Sequence, residues 1–149
     1  MNRPCLKFTT DIVVKRLRWV MLGAILFDNI NTLVGQPSSY WQHPETVQEG
    51  NHLTHWFISR GCMSFCLYEL AYMAGTFLLV SIIPRRLALV VILAFIFGHY
   101  YGASTWLAHR WHLGTQGTVI YAIILAAIVV LAAFPKLGEL NAPKPEEGK

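Results

Sequence analysis

The sequence predicts an all-α fold: a four-helix transmembrane bundle with both termini in the cytoplasm. Three observations predict it, namely an apolar composition, four long apolar stretches, and lysines and arginines gathered at one end of those stretches. Of the 149 residues, 54% are hydrophobic and 13% are charged, whereas a soluble domain carries about 25% charged residues. The mean hydropathy is +0.43. So few charges cannot cover a soluble globule, which argues against a soluble enzyme and against a disordered chain.

Four stretches are long enough to cross a bilayer, which takes about 20 residues of α-helix. They cover residues 17–34, 56–83, 87–107 and 117–134. Helix is expected for each, because a lipid-exposed chain must satisfy its backbone hydrogen bonds within the segment. We therefore expect one transmembrane domain over residues 1–134 and a disordered cytoplasmic tail over residues 135–149.

The second stretch is longer than a single crossing requires. Its beginning overlaps residues 53–60, which read LTHWFISR and have the composition of an amphipathic segment. Such a segment can lie along the membrane interface before the chain enters the bilayer. This alternative would shorten the second transmembrane helix.

The basic residues predict the orientation of the chain in the membrane. All but Arg60 and Arg110 of the 12 lysines and arginines lie in residues 1–18, at positions 85 and 86, or in the tail. Lysine and arginine near membrane spans stay on the cytoplasmic side. We therefore expect a multi-pass protein of the cell (inner) membrane with its N and C termini in the cytoplasm.

Imidazoles and other polar groups are expected at the opposite end. All six histidines fall in the outer loops or the outer halves of the predicted helices. At about 1.5 Å per residue, Asp28 and His99 lie roughly 16 Å and 18 Å from the inner ends of their helices. A carboxylate near the midplane costs about 2.5 to 3.5 kcal/mol, so it should face a partner or a wet cavity. We expect Asp28 and His99 to share one internal polar site that is open to the outer face.

Polar residues around this pair predict a binding cavity. Asp28 and Thr32 are four residues apart on one helix face, and Asn31 lies on a neighbouring line. The predicted ligand-binding residues are Asp28, Asn31, Thr32, Glu49, Asn51, Arg60 and Tyr100. Their chemistry suits a metal, a cation or a small polar ligand. Arg60 is expected either to neutralise Glu49 or Asp28 or to snorkel outward.

The histidines provide candidate ligands for a transition metal, because imidazole is a common protein ligand for such ions. The predicted set is His52, His55, His99 and His109. Haem is the less favoured cofactor, because its two axial histidines would be His55 and His109, which both lie at the rim of the apolar zone. The alternative is that these side chains are solvated residues of the membrane interface.

Glu69 and two cysteines lie in the second helix. The role of Glu69 stays open between a proton or cation relay and a protonated group bonded to a neighbouring helix. Cys62 and Cys66 are one helical turn apart without a Cys-x-x-Cys motif, so we expect them to be packing residues.

Three elements of the sequence resemble a pattern of a family of small prokaryotic multi-pass membrane proteins. They are Asp28-x-x-x-Thr32, the glycine at position 35, and Glu49-x-Asn51. The pattern of that family reads D-x-x-x-T, then glycine, then E-x-N-P. Here His52 stands in place of the proline, and the intervening loop is longer. The family is a domain of unknown function, so the resemblance implies a four-helix membrane bundle with these positions matched and no reaction.

Three classes of function follow from these observations. The first is a membrane protein that binds a ligand in the polar cavity, alone or as an accessory subunit of a membrane complex. The second is a metal-dependent integral membrane enzyme with Asp28 or Glu49 as general base, and the third is a purely structural subunit. The expected partners are the lipid bilayer and either other subunits or a second copy of the chain. Nucleic acid is not expected, because topology explains the basic residues.

Overall fold

The computed structural model describes residues 10–134, and this part of the chain is all-helical. The helices are α1 (Thr10–Val34), α2 (His52–Ile58), α3 (Cys62–Ile82), α4 (Arg85–His109) and α5 (Gly114–Ala133). Two 3₁₀ turns, Ser38–Trp41 and Pro44–Thr46, lie between α1 and α2. Four helices, α1, α3, α4 and α5, are long and apolar enough to cross a membrane. The predicted all-α bundle of four membrane-spanning helices is confirmed, and the predicted tail lies outside the described residues.

The centre of the bundle is the pair formed by α1 and α4, which contact each other more extensively than any other two described helices. The two helices run in the same direction, since Asp11 pairs with Arg85 near their beginnings and Asp28 pairs with His99 further along. We call the end at which α1 and α4 begin the basic end. The opposite end, which carries residues 35–51, is called the loop end.

An apolar core fills the half of the bundle near the basic end. On α1, Leu17, Met21 and Ile25 recur every four residues, and on α4, Ile92 and Ile96 have the same spacing. Each of these side chains is at most 2% exposed. Within a bilayer such contacts stabilise the bundle by close packing, because lipid tails are as apolar as the side chains themselves.

The outward surface of the bundle is apolar as well. On α5, Ile123 and Leu131 are each 64% exposed, and on α3, Leu67 is 62% exposed. Exposed apolar faces of this extent on a soluble monomer would promote association. Lipid acyl chains solvate them instead, so the exposed faces agree with a membrane-spanning bundle.

A glycine separates α2 from α3. Gly61 has a φ of 104°, in the left-handed region that glycine adopts without steric penalty. The membrane-spanning helix therefore begins at Cys62, and the predicted start at residue 56 is wrong. Residues 52–58 form their own short helix, as the alternative of a separate amphipathic segment predicts.

Polar contacts fix the segment that joins α1 to α2. The side-chain amide of Gln36 donates to the carbonyls of Thr32 at 2.9 Å and Gln48 at 3.1 Å, and its oxygen accepts from the Gln48 N–H at 2.8 Å. The hydroxyl of the buried Tyr40 donates to the carbonyl of Ile58 at 3.2 Å. These bonds connect the loop to the end of α1 and to the end of α2, and they position the polar residues that follow Gln48.

Candidate functional site

The candidate site is built around a pair of polar side chains on the central helices. Asp28 follows Ile25 by three residues on the buried face of α1, and His99 follows Ile96 by three residues on the buried face of α4. The Nδ1 atom of His99 lies 2.8 Å from Oδ2 of Asp28, and each side chain is 15% exposed. The predicted pairing of Asp28 with His99 is confirmed.

Gly102 makes room for this pair. It lies three residues after His99 on α4, where a Cβ atom would lie 2.6 Å from Oδ2 and 2.8 Å from Oδ1 of Asp28. Real Cβ atoms do not approach oxygen atoms so closely. The absence of a side chain at position 102 therefore allows the Asp28 carboxylate to reach α4.

Tyr72 of α3 extends the pair into a chain of three side chains. Its hydroxyl lies 3.2 Å from Nε2 of His99. An ionised carboxylate only accepts hydrogen bonds, so Nδ1 of His99 donates to Asp28. Nε2 of a neutral imidazole then accepts from the Tyr72 hydroxyl. The carboxylate thus fixes the tautomer and the orientation of the imidazole.

A second polar contact connects α1 to α3. The amide of Asn29 donates to Oε2 of Glu69 at 2.7 Å, and Glu69 is only 8% exposed. Asn29 is the neighbour of Asp28 on α1. The carboxyl groups of Asp28 and Glu69 therefore belong to one polar region. Glu69 therefore contacts a neighbouring helix, and its two possible roles both stay predictions.

These groups line a cleft of about 980 Å³ that is bounded by α1, α3, α4 and the beginning of α2. The acidic residues of the lining are Asp28, Glu49 and Glu69, and the imidazole is that of His99. No lysine or arginine of the described chain belongs to this lining. The cleft therefore presents a surface that is acidic and free of fixed positive charge.

Aromatic rings form much of the remaining wall. Tyr68, Tyr72, Phe95 and Trp106 all line the cleft. Tyr72 lies edge-on to Phe95 with ring centroids 6.0 Å apart, and Phe95 stacks with the His99 ring at 6.4 Å. The carboxyl groups are thus surrounded by rings whose negatively polarised faces also attract cations.

Glu49 lies at the loop end of the cleft, outside the membrane-spanning helices. Burial raises the pKa of its carboxyl above the usual value, and the nearby Asp28 carboxylate raises it further. The backbone N–H of Asn51, which donates to Oε1 of Glu49 at 2.8 Å, acts in the opposite direction. The raised pKa of Glu49 therefore reflects its burial first and the charge of Asp28 second.

Asn51 has a structural role beside its place in the lining. Its side-chain oxygen accepts from the N–H groups of Leu53 at 3.0 Å and Thr54 at 3.3 Å, which caps α2. Thr32 also lines the cleft. Of the predicted binding residues, the cleft therefore brings together Asp28, Thr32, Glu49 and Asn51.

The remaining predicted binding residues have other partners. The amide of Asn31 donates to the Phe27 carbonyl at 2.7 Å, one turn back on α1. The Tyr100 hydroxyl donates to the carbonyl of Thr118 on α5 at 3.2 Å. None of Asn31, Arg60 and Tyr100 contributes to the lining of the cleft.

Arg60 is exposed and turned towards its own helix. It donates to the carbonyl of Trp56 at 2.7 Å, and its guanidinium carbon lies 3.3 Å from the centroid of the Trp56 ring. Arg60 therefore neutralises neither Glu49 nor Asp28. The outward alternative describes its position correctly.

The predicted metal site finds no support in the structure. Within residues 10–134, no three His, Cys, Asp or Glu side chains are placed to hold a metal ion. His52 and His109 are exposed, and His55 lies with Nδ1 3.3 Å from the Glu49 carbonyl. His99 alone of the four reaches the cleft, and its ring nitrogens contact Asp28 and Tyr72. The predicted set is therefore dispersed, because His52 and His55 lie on α2, His99 and His109 lie on α4, and only His99 lines the cleft.

Several residues of the cleft escape a reading of the sequence. Asn29, Tyr72 and Gly102 are not among the predicted site residues, although Asn29 contacts Glu69, Tyr72 contacts His99 and Gly102 accommodates Asp28. One available signal was the i, i+4 spacing of Tyr68 and Tyr72 around Glu69, which places three polar groups on adjoining lines of α3.

Neither the protein-family models nor the curated proteins nor the solved structures compared with this chain give a match. The resemblance in the run from Asp28 to Asn51 therefore stays a prediction. The geometry of the cleft is the basis for a functional interpretation.

Proposed function

We propose that this protein is a multi-pass membrane protein that binds a small organic cation in the cleft between α1, α3 and α4. One observation carries the proposal: three carboxyl-bearing residues and several aromatic rings line the cleft, and no lysine or arginine does. The proposed ligand carries an ammonium or quaternary ammonium group next to an apolar portion.

Electrostatics supports a cation over an anion. Asp28, Glu49 and Glu69 carry up to three negative charges in one partly enclosed region. Low-dielectric walls concentrate the field of such groups and raise the local concentration of oppositely charged ligands. An anion would meet repulsion from the carboxylates, and no basic side chain in the lining would offset it.

The aromatic wall supports an organic cation over a bare metal ion. A cation over a Tyr or Trp ring gains about 0.5 to 2 kcal/mol, more when it is desolvated. Tyr68, Tyr72 and Trp106 offer such rings within the same cleft. A metal ion would need a convergent set of ligand atoms, and the described residues contain none. The volume of about 980 Å³ accommodates a small organic molecule.

In the proposed orientation, the cleft between the membrane-spanning helices opens towards the outside of the cell. Lys15, Arg18, Arg85 and Arg86 lie at the basic end, and such residues favour the cytoplasm. Both termini would then be cytoplasmic, and the loop end with Glu49 would face outward. A ligand would enter from the extracytoplasmic side.

The experiment is a titration of the detergent-purified full-length protein with benzyltrimethylammonium by isothermal titration calorimetry. Benzylsulfonate serves as the matched probe, because it carries the same benzyl group with the opposite charge. We expect saturable binding of benzyltrimethylammonium and none of benzylsulfonate. Equal binding of both probes, or no saturable heat with either, contradicts the proposal.

Two variants locate the binding. Asp28→Asn and Glu69→Gln each remove a charge from the cleft, and each should weaken binding about tenfold or more, since an interaction with a charged group contributes about 1.5 to 3 kcal/mol. Glu45→Gln is the matched control, because Glu45 is an exposed acid of the same end that pairs with His43 and does not line the cleft. An equal loss in the control would assign the affinity to general surface charge.

A further inference from the structure

A second pocket lies at the basic end of the bundle and shares no lining residue with the cleft. Its volume is about 210 Å³, and it is bounded by the beginning of α1, the end of α3 and the beginning of α4. Its charged lining residues are Lys15, Arg18 and Arg85, with Asp11 as the acid among them. We call it the basic pocket. Its three cations exceed its one carboxylate, so its charge is opposite to that of the cleft.

Arg18 is held in a fixed position within the basic pocket. Its Nη1 donates to the hydroxyl of Ser81 at 2.6 Å, and its guanidinium carbon lies 5.2 Å from the centre of the Phe77 ring. Its Nε is buried without a hydrogen-bond partner among the described residues. A buried donor without a partner indicates a group that the protein itself does not supply, such as water or an anion.

The other two cations lie at the entrance. Arg85 forms an ion pair with Asp11, which ties the beginning of α4 to the beginning of α1. The side chain of Arg85 remains 69% exposed, and Lys15 is exposed as well. Both side chains therefore keep exposed surface that can contact an anion that also reaches Arg18, although Arg85 is already paired with Asp11.

Part of the lining of the basic pocket is apolar. Val14, Val80 and Ile83 line it beside the charged groups. The pocket also lies where α1 and α4 begin and α3 ends, the level at which a bilayer around these helices would change from headgroups to acyl chains. An amphipathic molecule with a phosphate at one end matches both the charged and the apolar lining, whereas a free inorganic anion matches only the charged lining.

We propose that the basic pocket binds the phosphate of an anionic lipid headgroup. The guanidinium of Arg18 and the ammonium of Lys15 contact the phosphate oxygens, because both are strong donors to such groups. The first carbons of the acyl chains lie against Val14 and Val80. This site is independent of the ligand of the cleft, so the failure of one proposal leaves the other standing.

The test measures lipid binding to the delipidated full-length protein by native mass spectrometry. Phosphatidylglycerol and phosphatidylcholine with identical acyl chains are compared, since they differ in headgroup charge. A basic side chain near a lipid surface contributes about 1 kcal/mol, so we expect phosphatidylglycerol to be preferred at least about fivefold.

Three variants distinguish the pocket from general basic charge. Arg18→Gln and Lys15→Gln should each reduce the preference for phosphatidylglycerol about fivefold. Lys15 is exposed, so its variant tests the proposal even when Arg18→Gln fails to fold. Arg86→Gln is the matched control, because Arg86 is the exposed neighbour of Arg85 at the same end and does not line the pocket. We expect Arg86→Gln to retain the preference.

The outcomes decide between the sources of phosphate. Binding of phosphatidylglycerol that resists excess inorganic phosphate and falls in Lys15→Gln supports the lipid site. Displacement of the lipid by inorganic phosphate assigns the pocket to free phosphate and overturns the lipid assignment. The absence of any headgroup preference, or an equal loss in Arg86→Gln and Lys15→Gln, overturns the proposal altogether.

Discussion

Asp28 of α1 and His99 of α4 meet at 2.8 Å across the most extensive helix contact of the bundle. Each follows a line of buried apolar residues on its own helix, so the two lines change from apolar to polar at one level. Because α1 and α4 run in the same direction, this change occurs towards the same end of both helices. The pair therefore marks the boundary between the apolar core and the cleft.

Energetic coupling between Asp28 and His99 is the first prediction. We expect the double variant Asp28→Ala/His99→Ala to be less destabilised than the sum of the two single variants, with a coupling energy of about 1 to 3 kcal/mol. The free energy of unfolding in mixed micelles provides the measurement. A cycle between His99→Ala and the remote Glu45→Ala should give a coupling below about 0.5 kcal/mol. Equal coupling in both cycles would contradict the pairing.

A methyl group at position 102 should separate α1 from α4. The Cβ of Gly102→Ala would lie 2.6 Å from Oδ2 of Asp28, so we expect a loss of about 1 to 3 kcal/mol in the free energy of unfolding. Gly98→Ala is the control one turn earlier, where a Cβ atom meets nothing within 4 Å. That variant should gain up to about 1 kcal/mol from its higher helix propensity. Two variants of equal stability would show that the carboxylate does not approach Gly102.

The pH dependence of stability should carry the signature of Glu49. Burial raises the pKa of this carboxyl from 4.5, so its favourable contribution is present at low pH and is lost as the pH rises through the raised pKa. Glutamine has no titratable carboxyl, so the variant Glu49→Gln does not lose this stability as the pH rises. We expect the variant to match the wild type at about pH 4 and to have a higher melting temperature at about pH 7. A difference of the same size at both pH values would contradict the raised pKa.

Matched depth and helical spacing were enough to predict that Asp28 meets His99. The facing of α3 was not predictable in the same way, because this helix is apolar around most of its circumference and no single line of residues marks its buried side. The contact of Tyr72 with His99 is therefore not predicted from the sequence. The sequence shows that Glu69 lies within the second helix, but it does not predict the contact of Glu69 with Asn29. Space for Asp28 at Gly102 is likewise visible only once the separation of the two helices is known.

For another reason, the described residues do not bring the predicted histidines together or place Arg60 in the cleft. Residue type and approximate depth do not determine which way a side chain at the loop end points. Arg60 has its own Trp56 ring within reach, and His109 ends α4 on an exposed face.

The most direct test of the central claim is the charge selectivity of a cysteine placed inside the cleft. Gly98→Cys places a thiol on the cleft lining, where a Cβ atom has open space, in a chain whose Cys5, Cys62 and Cys66 are replaced by serine. Ser38→Cys, on the exposed loop end and outside the lining, is the reference. The measurement is the rate of modification by cationic and by anionic methanethiosulfonate reagents of similar size.

For each variant, the ratio of the cationic to the anionic modification rate is calculated. In an acidic, water-accessible cleft this ratio should be about tenfold higher at Gly98→Cys than at Ser38→Cys. Equal rates with both reagents, or a thiol that neither reagent reaches, would contradict the account.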